Sequence, residues 1–173
     1  PPAGIAYLSQ TLLVNKIECD VLDMLLGKTF RNLQKKIDSF QPDLLGISMF
    51  SFGYKHTYEL MAKIKQGNPN LPILVGGSHA SLVREKVLEE CQEIDFGMTM
   101  EGEQTILEFC QGQDLQQIKG LLYRQDGEVI YTGDRPFMLD LDSVPFPRYQ
   151  GFELARYTDE KPLVSSRGCP NKC

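Results

Sequence analysis

Two short apolar runs, separated by an amphipathic segment, constrain the fold of this chain more than any other feature. Residues 44–50 and 72–75 are nearly continuous apolar runs, a pattern typical of strands that are buried on both faces of a parallel sheet. Between them, residues 54–64 carry apolar side chains at helical spacing. A strand, a helix and a second strand in this order predict a βαβ unit.

The alternation of strands and helices continues through the first 113 residues. The spacing of apolar residues predicts helices at 4–17, 30–40, 83–91 and 106–110, and further strands at 19–23 and 94–100. The predicted fold class is α/β: a doubly wound, flavodoxin- or Rossmann-like parallel sheet with helices on both faces. Because a helix comes first, we expect the first strand to lie upstream of Pro1. Its absence should leave a central gap between strands 19–23 and 44–50.

The pattern changes after residue 112. Two strand-like segments, 120–124 and 128–131, flank Asp126-Gly127, which is a strong signal for a two-residue β-hairpin. Residues 133–150 are rich in proline and aspartate and predict an extended linker, and 162–166 resemble the first strand of a second domain. We therefore expect a doubly wound domain at 1–113, a hairpin and linker at 114–150, and the start of another domain at 151–173. The chain lacks an initiator methionine and stops at a cysteine, so we interpret it as a fragment.

Composition disfavours several classes of partner. The net charge of −5 and the pI of about 5.1 argue against binding to a phosphate backbone, and the absence of tryptophan argues against a base-stacking surface, so no nucleic acid partner is expected. No apolar run approaches the roughly 18 residues that a membrane span requires. The five cysteines show no disulfide-framework spacing, which favours a reducing, cytoplasmic location.

Ligands of doubly wound sheets bind over the carboxyl ends of the strands, so the loops after the strands hold the candidate residues. Hydroxyls and aromatics at the end of the first apolar run could line a pocket for a large, flat ligand, although a packed strand end explains them nearly as well. Two glycines after the second run either let a ligand approach the backbone or form a tight turn. Acids that begin a helix favour its dipole whatever the function. The candidates are Ser48, Phe50, Ser51, Gly76, Gly77, Ser78, His79, Glu101, Gly102 and Glu103.

The last nine residues contain a possible metal site. Cys169 and Cys173 are separated by three residues and follow the strand predicted at 162–166. In a reducing compartment, two such cysteines are better explained as metal ligands than as a disulfide. Their spacing fits either a zinc site or an iron–sulfur cluster.

The sequence Ser-Arg-Gly-Cys-Pro-Asn-Lys-Cys at 166–173 closely resembles the opening of the C-x₃-C-x₂-C motif of radical S-adenosylmethionine enzymes. In that family three cysteine thiolates hold a [4Fe–4S] cluster, and S-adenosyl-L-methionine chelates the iron that they leave open. The resemblance implies that Cys169 and Cys173 are the first two cluster ligands.

The upstream region resembles the cobalamin-binding domain that precedes the radical domain in one large subgroup of this family. The matching stretches occur in family order: 1–8, 43–48, 75–80, 101–103, 120–124 and 140–147. Carried over by position, Ser48 and Gly76-Gly77 would flank the nucleotide tail of cobalamin, with Ser48-Met49-Phe50 matching the family's Ser-x-Leu element. The loops near Ser51, His79 and Glu101-Gly102-Glu103 would face the corrin ring.

The first motif of the subgroup's histidine-ligated relatives, D-x-H-x-x-G, is incomplete here. Gly4 matches its last glycine, which places Pro1 at the histidine position. The resemblance therefore implies that no protein imidazole lies below the cobalt.

The resemblance also implies a function. The parent enzyme would transfer a methyl group to an unactivated small-molecule substrate, or cyclise or rearrange it, through a 5′-deoxyadenosyl radical. Its cofactors would be cobalamin, a [4Fe–4S] cluster and S-adenosyl-L-methionine, and its partner a flavodoxin- or ferredoxin-type reductant. The fragment alone would be inert. One alternative is a non-catalytic corrinoid- or nucleotide-binding module with a zinc-binding Cys-x₃-Cys hook, and another is a radical enzyme whose front domain has lost cobalamin.

Overall fold

The computed structural model describes residues 1–158 and 161–168. The helices are α1 (Ala3–Val14), α2 (Phe30–Phe40), α3 (Tyr54–Gly67), α4 (Ser78–Val83), α5 (Lys86–Glu90) and α6 (Glu103–Cys110). The strands are β1 (Leu45–Ser48), β2 (Ile73–Gly76), β3 (Phe96–Met98), β4 (Leu121–Gln125) and β5 (Glu128–Tyr131). Three short 3₁₀ turns lie at Met24–Leu26, Leu141–Ser143 and Leu154–Arg156.

The five strands form one mixed sheet in the order β1-β2-β3-β4-β5. β1, β2 and β3 run parallel, so their carboxyl ends meet at one edge, which we call the carboxyl edge. β4 and β5 are the predicted hairpin, and they extend the sheet by antiparallel pairing to β3. Asp126 and Gly127 at the hairpin turn have φ values of +52° and +86°, as a two-residue turn of this hand requires.

Helices cover both faces of the sheet, as predicted, and β2 shows why. On this fully buried strand, Ile73 and Val75 join the core formed with α2, α3 and α5, whereas Leu74 between them joins the core formed with α1 and α6. Successive side chains of a strand point to opposite faces, so a strand between two helical layers must be apolar at every position. The prediction from residues 72–75 is confirmed.

The predicted strand at 19–23 is wrong, and the five strands that the structure describes pair in sequence without the predicted central gap. Residues 17–23 form neither helix nor strand, and β1 is an edge strand of the sheet that the described residues form. Asp20 and Asp23 accept hydrogen bonds from the nearby amides of Val21 and Leu25, at 2.7 Å and 2.9 Å. Such local bonds compete with a strand ladder.

Two further segments differ from their predicted form. The helix predicted at 83–91 is shorter and corresponds to α5, because Val83 belongs to α4, which Arg84 ends with a φ of +52°. The strand predicted at 162–166 is absent, since no residue of the described range 161–168 pairs with a strand. The helix predicted at 30–40 is confirmed with the same ends, and those predicted at 4–17, 54–64 and 106–110 are confirmed with shifted ends.

Within residues 1–158 and 161–168, no helix combines the length and the apolar character needed to cross a bilayer.

Replacing Ile64 with alanine should lower the free energy of unfolding by about 2–5 kcal/mol, because its fully buried side chain would leave a cavity between α3 and the sheet. The neighbouring exposed residue provides the control: Lys63→Ala should change it by less than about 0.5 kcal/mol. Urea denaturation measures both. Equal effects would contradict this packing of α3.

The buried thiol of Cys91 predicts a dependence of stability on pH. Burial, with a hydrogen bond from its Sγ to Glu93 at 3.3 Å, raises the pKa of Cys91 from 9.0 to about 11. The folded chain thus keeps this proton to higher pH than the unfolded chain, so the stabilisation is complete below pH 9 and is lost as the pH rises towards 11.

The wild type should have a higher free energy of unfolding than Cys91→Ala below pH 9. This difference should shrink by about 2 kcal/mol between pH 9 and 11, because one pKa unit corresponds to roughly 1.4 kcal/mol. Urea denaturation at a series of pH values measures it. A constant difference between the two chains would contradict the buried, protonated thiol.

Candidate functional site

The loops after β1 and β2 are joined to each other at the carboxyl edge by backbone hydrogen bonds. The Met49 amide donates to the Gly76 carbonyl at 2.8 Å, and the His79 amide donates to the Met49 carbonyl at 3.2 Å. The loop after β3 joins them through the Met100 amide, which donates to the hydroxyl of Ser81 on α4 at 2.8 Å. The structure therefore brings the three predicted loops together, and Ser81, which the sequence did not single out, connects two of them.

The glycine pair is required by close approach of the chain to itself. Gly77 has a φ of +95°, and a Cβ atom there would lie 2.7 Å from the Met49 carbonyl oxygen and 3.1 Å from Ser48 Oγ. A Cβ atom on Gly76 would lie 2.9 Å from Cε of Met98. The missing side chains let the ends of β1, β2 and β3 pack together. Of the two explanations given for this glycine pair, the packing agrees with the tight turn.

His79 is a buried residue that holds the loop after β1. It is 4% exposed, and its Nδ1 lies 3.3 Å from Ser51 Oγ. Its ring stacks on Tyr54, the first residue of α3, with a centroid distance of 4.5 Å, and Tyr58 packs edge-on at 6.3 Å. The Nε2 atom is buried and has no hydrogen-bond partner in the described chain. His79 therefore connects α4 to Ser51 and α3 from within the core.

Large apolar side chains are exposed around these loops. Phe50 and Phe52 after β1 are 60% and 99% exposed, and Met100 after β3 is 48% exposed. Leu82 on α4, next to Ser81, is also exposed. We call these four residues the apolar rim. Clustered exposed apolar side chains are unusual on a monomer and are typical of binding surfaces.

The acidic loop of 101–103 is already engaged by other parts of the chain. Glu103 is 6% exposed, and its Oε1 accepts a hydrogen bond from Arg167 Nη2 at 2.6 Å. Glu101 lies 3.7 Å from Arg167 Nη1, and its other carboxylate oxygen accepts a hydrogen bond from the Met138 amide at 2.7 Å. The hydrogen bond to Glu103 raises the pKa of Arg167 above its ordinary value despite burial. Gly102 between the two acids packs on Met98.

Arg167, which contacts both acids of this loop, was not identified as a site residue from the sequence. It stands 64 positions after its partner Glu103, and a single arginine carries no signal at that separation. The predicted metal ligands Cys169 and Cys173 lie outside the described residues. Among the residues that the structure describes, no three His, Cys, Asp or Glu side chains come together to hold a metal ion.

Comparison with known proteins gives one family match and several relatives. A family model described as "B12 binding domain" matches residues 1–109, a range that contains all three loops. An uncharacterised methyltransferase of Pyrococcus horikoshii is 31% identical over 182 aligned positions, which cover 100% of this chain and 39% of that protein. The anaerobic magnesium-protoporphyrin IX monomethyl ester cyclase of Rubrivivax gelatinosus is 27% identical over 191 positions, which cover 100% of this chain and 34% of that enzyme.

A solved structure shares the fold. The cobalamin-dependent S-adenosylmethionine radical enzyme OxsB, with aqua-cobalamin bound, matches 79% of this chain and 20% of its own, with a TM-score of 0.67 and 23% sequence identity. This chain spans little more than a third of the length of the two curated relatives.

Replacing Gly77 with alanine should lower the free energy of unfolding by about 3 kcal/mol, since both its φ and the contact with Met49 oppose a Cβ atom. Gly53→Ala is the matched control, because Gly53 has a φ of +79° but nothing within 4 Å of its Cβ position. It should cost only about 1 kcal/mol. Thermal or urea denaturation measures the difference, and equal losses would show that contact with Met49 is unimportant.

Proposed function

The chain belongs to the B12 binding domain family, and from that membership we propose that its carboxyl edge binds cobalamin for an enzyme of the cobalamin-dependent radical S-adenosylmethionine class. The observation that carries the proposal is the family match over 1–109, together with the grouping of the three loops at one edge of the sheet. In doubly wound folds this edge is where ligands bind.

The residues around this edge fit a large ligand with a flat, mostly apolar ring. We assign the corrin ring to the apolar rim, where Phe50, Phe52 and Met100 would be desolvated by it. The nucleotide tail is assigned to the side of β1 and β2, beside Ser48 and the glycine pair. Ser48 and Gly46 are exposed on β1, and nothing lies within 4 Å of the Cβ position of Gly46, so this side has room for a ligand.

The predicted residues divide into two roles in this proposal. Phe50 and Ser48 would contact the cofactor. Ser51, Ser78 and His79 would position the loops, since His79 is buried against Tyr54 and turned towards Ser51. The acids Glu101 and Glu103 would act through the chain segments that they hold.

Cobalamin, when bound, supplies a cobalt centre that can carry a methyl group. The part of this chain is to bind it, to orient its ring and to keep water away from one face. The apolar rim beside the ends of the strands suits all three tasks. Its side chains would exclude water once a ligand covers them, and the hydrogen bonds between the loops limit movement.

We extend the proposal to the parent protein. Its reaction would be methyl transfer to a small molecule, or cyclisation or rearrangement, which agrees with relatives named as a methyltransferase and a cyclase. Cys169 and Cys173 would begin the site for a [4Fe–4S] cluster that works with S-adenosyl-L-methionine and a flavodoxin- or ferredoxin-type reductant. The division at 113 and 150 into a cobalamin domain, a hairpin with linker, and the start of a radical domain belongs to the same proposal.

Equilibrium dialysis with hydroxocobalamin tests the binding site. The wild-type chain should retain the vitamin, and Phe50→Asp should weaken binding at least tenfold, a loss of about 1.4 kcal/mol, because a carboxylate would be desolvated against the ring. Val14→Asp is the control. Val14 is similarly exposed, at 52% against 60% for Phe50, but it ends α1 and lies outside the three loops.

Two outcomes would contradict the proposal. One is a wild-type chain that retains no hydroxocobalamin. The other is equal weakening by Phe50→Asp and Val14→Asp, which would place the ligand away from the apolar rim. Retention of ADP in place of the vitamin would favour the alternative of a nucleotide-binding module.

A further inference from the structure

We propose that Arg167 is a positioning residue: with Glu101, Glu103 and Tyr7 it fixes residues 162–168 against the loop after β3. We call residues 162–168 the docked segment. It leads directly to Cys169 in the sequence, so the contacts of Arg167 fix the position of the chain immediately before the cysteine motif. The inference rests on the proposed function in one respect: the ligand beside the docked segment is taken to be cobalamin.

The guanidinium of Arg167 is enclosed by groups that match its charge. It donates to Glu103 at 2.6 Å, lies 3.7 Å from Glu101, and stands over the ring of Tyr7 at 5.1 Å from the centroid. The side chains of Arg167, Glu101 and Glu103 are only 18%, 16% and 8% exposed. A surface ion pair contributes little, but removing one partner of an enclosed pair leaves the other charge without water or counter-charge.

Two tyrosines hold the backbone of the docked segment upstream of Arg167. The Tyr7 hydroxyl accepts a hydrogen bond from the Val164 amide at 3.1 Å and donates to the Val164 carbonyl at 3.4 Å. The hydroxyl of Tyr149 donates to the Pro162 carbonyl at 2.5 Å. Both tyrosines are buried, with 5% and 3% exposure, so these anchors belong to the core. The docked segment is thus held at three points without joining the sheet.

The same contacts connect the docked segment to the proposed ligand site. Glu101 follows Met100 of the apolar rim and also accepts a hydrogen bond from the Met138 amide at 2.7 Å. A shift of the loop after β3 would therefore move both the linker and the docked segment. Cys169 is two residues beyond Arg167, and two residues span at most about 7 Å. The contacts of Arg167 therefore hold the last described residues before Cys169 beside the loop after β3.

Hydrogen exchange measured by mass spectrometry on the whole chain tests whether Arg167 holds the docked segment. Arg167→Gln should speed exchange of the Val164 amide, which donates to Tyr7 within the docked segment, at least tenfold, while peptides from β2 and α3 keep their wild-type rates. Arg167→Lys keeps the charge but loses the forked donors of the guanidinium, so its exchange rate should lie between those of the wild type and Arg167→Gln. Arg156→Gln is the control, because Arg156 pairs only with Glu153 among the described residues and is 47% exposed. Equal exchange in Arg167→Gln and Arg156→Gln overturns the proposal.

A double-mutant cycle separates the pair from general loosening. Combining Arg167→Gln with Glu103→Gln should raise exchange of the docked segment by less than the product of the two single effects, since each change removes the same contact. Independent, multiplicative effects would overturn the role of the pair. Should Arg167→Gln unfold the chain, Tyr7→Phe provides the readout: it removes only the hydroxyl that holds Val164, and it should speed exchange of the docked segment alone. Unchanged exchange there would also overturn the proposal.

Hydroxocobalamin adds an arm that distinguishes the two proposals. Saturation with the vitamin should slow exchange of the docked segment several-fold in the wild type and not in Arg167→Gln. If the chain binds no vitamin but Arg167→Gln still speeds exchange of the docked segment, the proposed function is refuted and the positioning role of Arg167 is supported. A chain that binds the vitamin with no change at the docked segment overturns the placement of that segment beside the ligand.

Discussion

The packing of the Met49 backbone against Gly77 is the contact on which the candidate site depends. With no Cβ at Gly77, the Met49 carbonyl can accept the hydrogen bond of the His79 amide while the Met49 amide bonds to Gly76. This arrangement starts α4 directly at the end of β2 and places His79 inside the core. His79 in turn fixes Ser51 and packs on Tyr54. One missing side chain thus determines the course of the first two loops and, through Ser81, of the third.

The carboxyl edge is divided into two parts with different chemistry. The part around β1 and α4 carries exposed apolar side chains, such as Phe50 and Phe52, which lose unfavourable contact with water when a ligand covers them. Beyond the exposed Met100, the loop after β3 carries two acids, and both are satisfied by the chain itself through Arg167 and the Met138 amide. The open part is therefore suited to hold a ligand, and the closed part is suited to hold the protein segments around it.

The closed part also connects later segments of the chain to the carboxyl edge. In doubly wound folds ligands bind at this edge, so a segment attached to the loop after β3 is held beside the candidate site. Met138 and Arg167 both bond to acids of the loop after β3, so the chain segments around them are attached to the carboxyl edge.

The sequence alone determined the elements whose signal is local: the apolar strand at 72–75, the amphipathic helices, and the hairpin at Asp126-Gly127, because periodicity and turn chemistry are properties of neighbouring residues. It also located the three loops. Tertiary structure decided the rest. Residues 19–23 have a strand-like pattern, but their aspartates bond to local amides. Glu103 could serve a ligand by its position, but it is neutralised by an arginine distant in the chain. Partners that are far apart in sequence leave no pattern in it, since only folding brings their charges and hydrogen-bonding groups together.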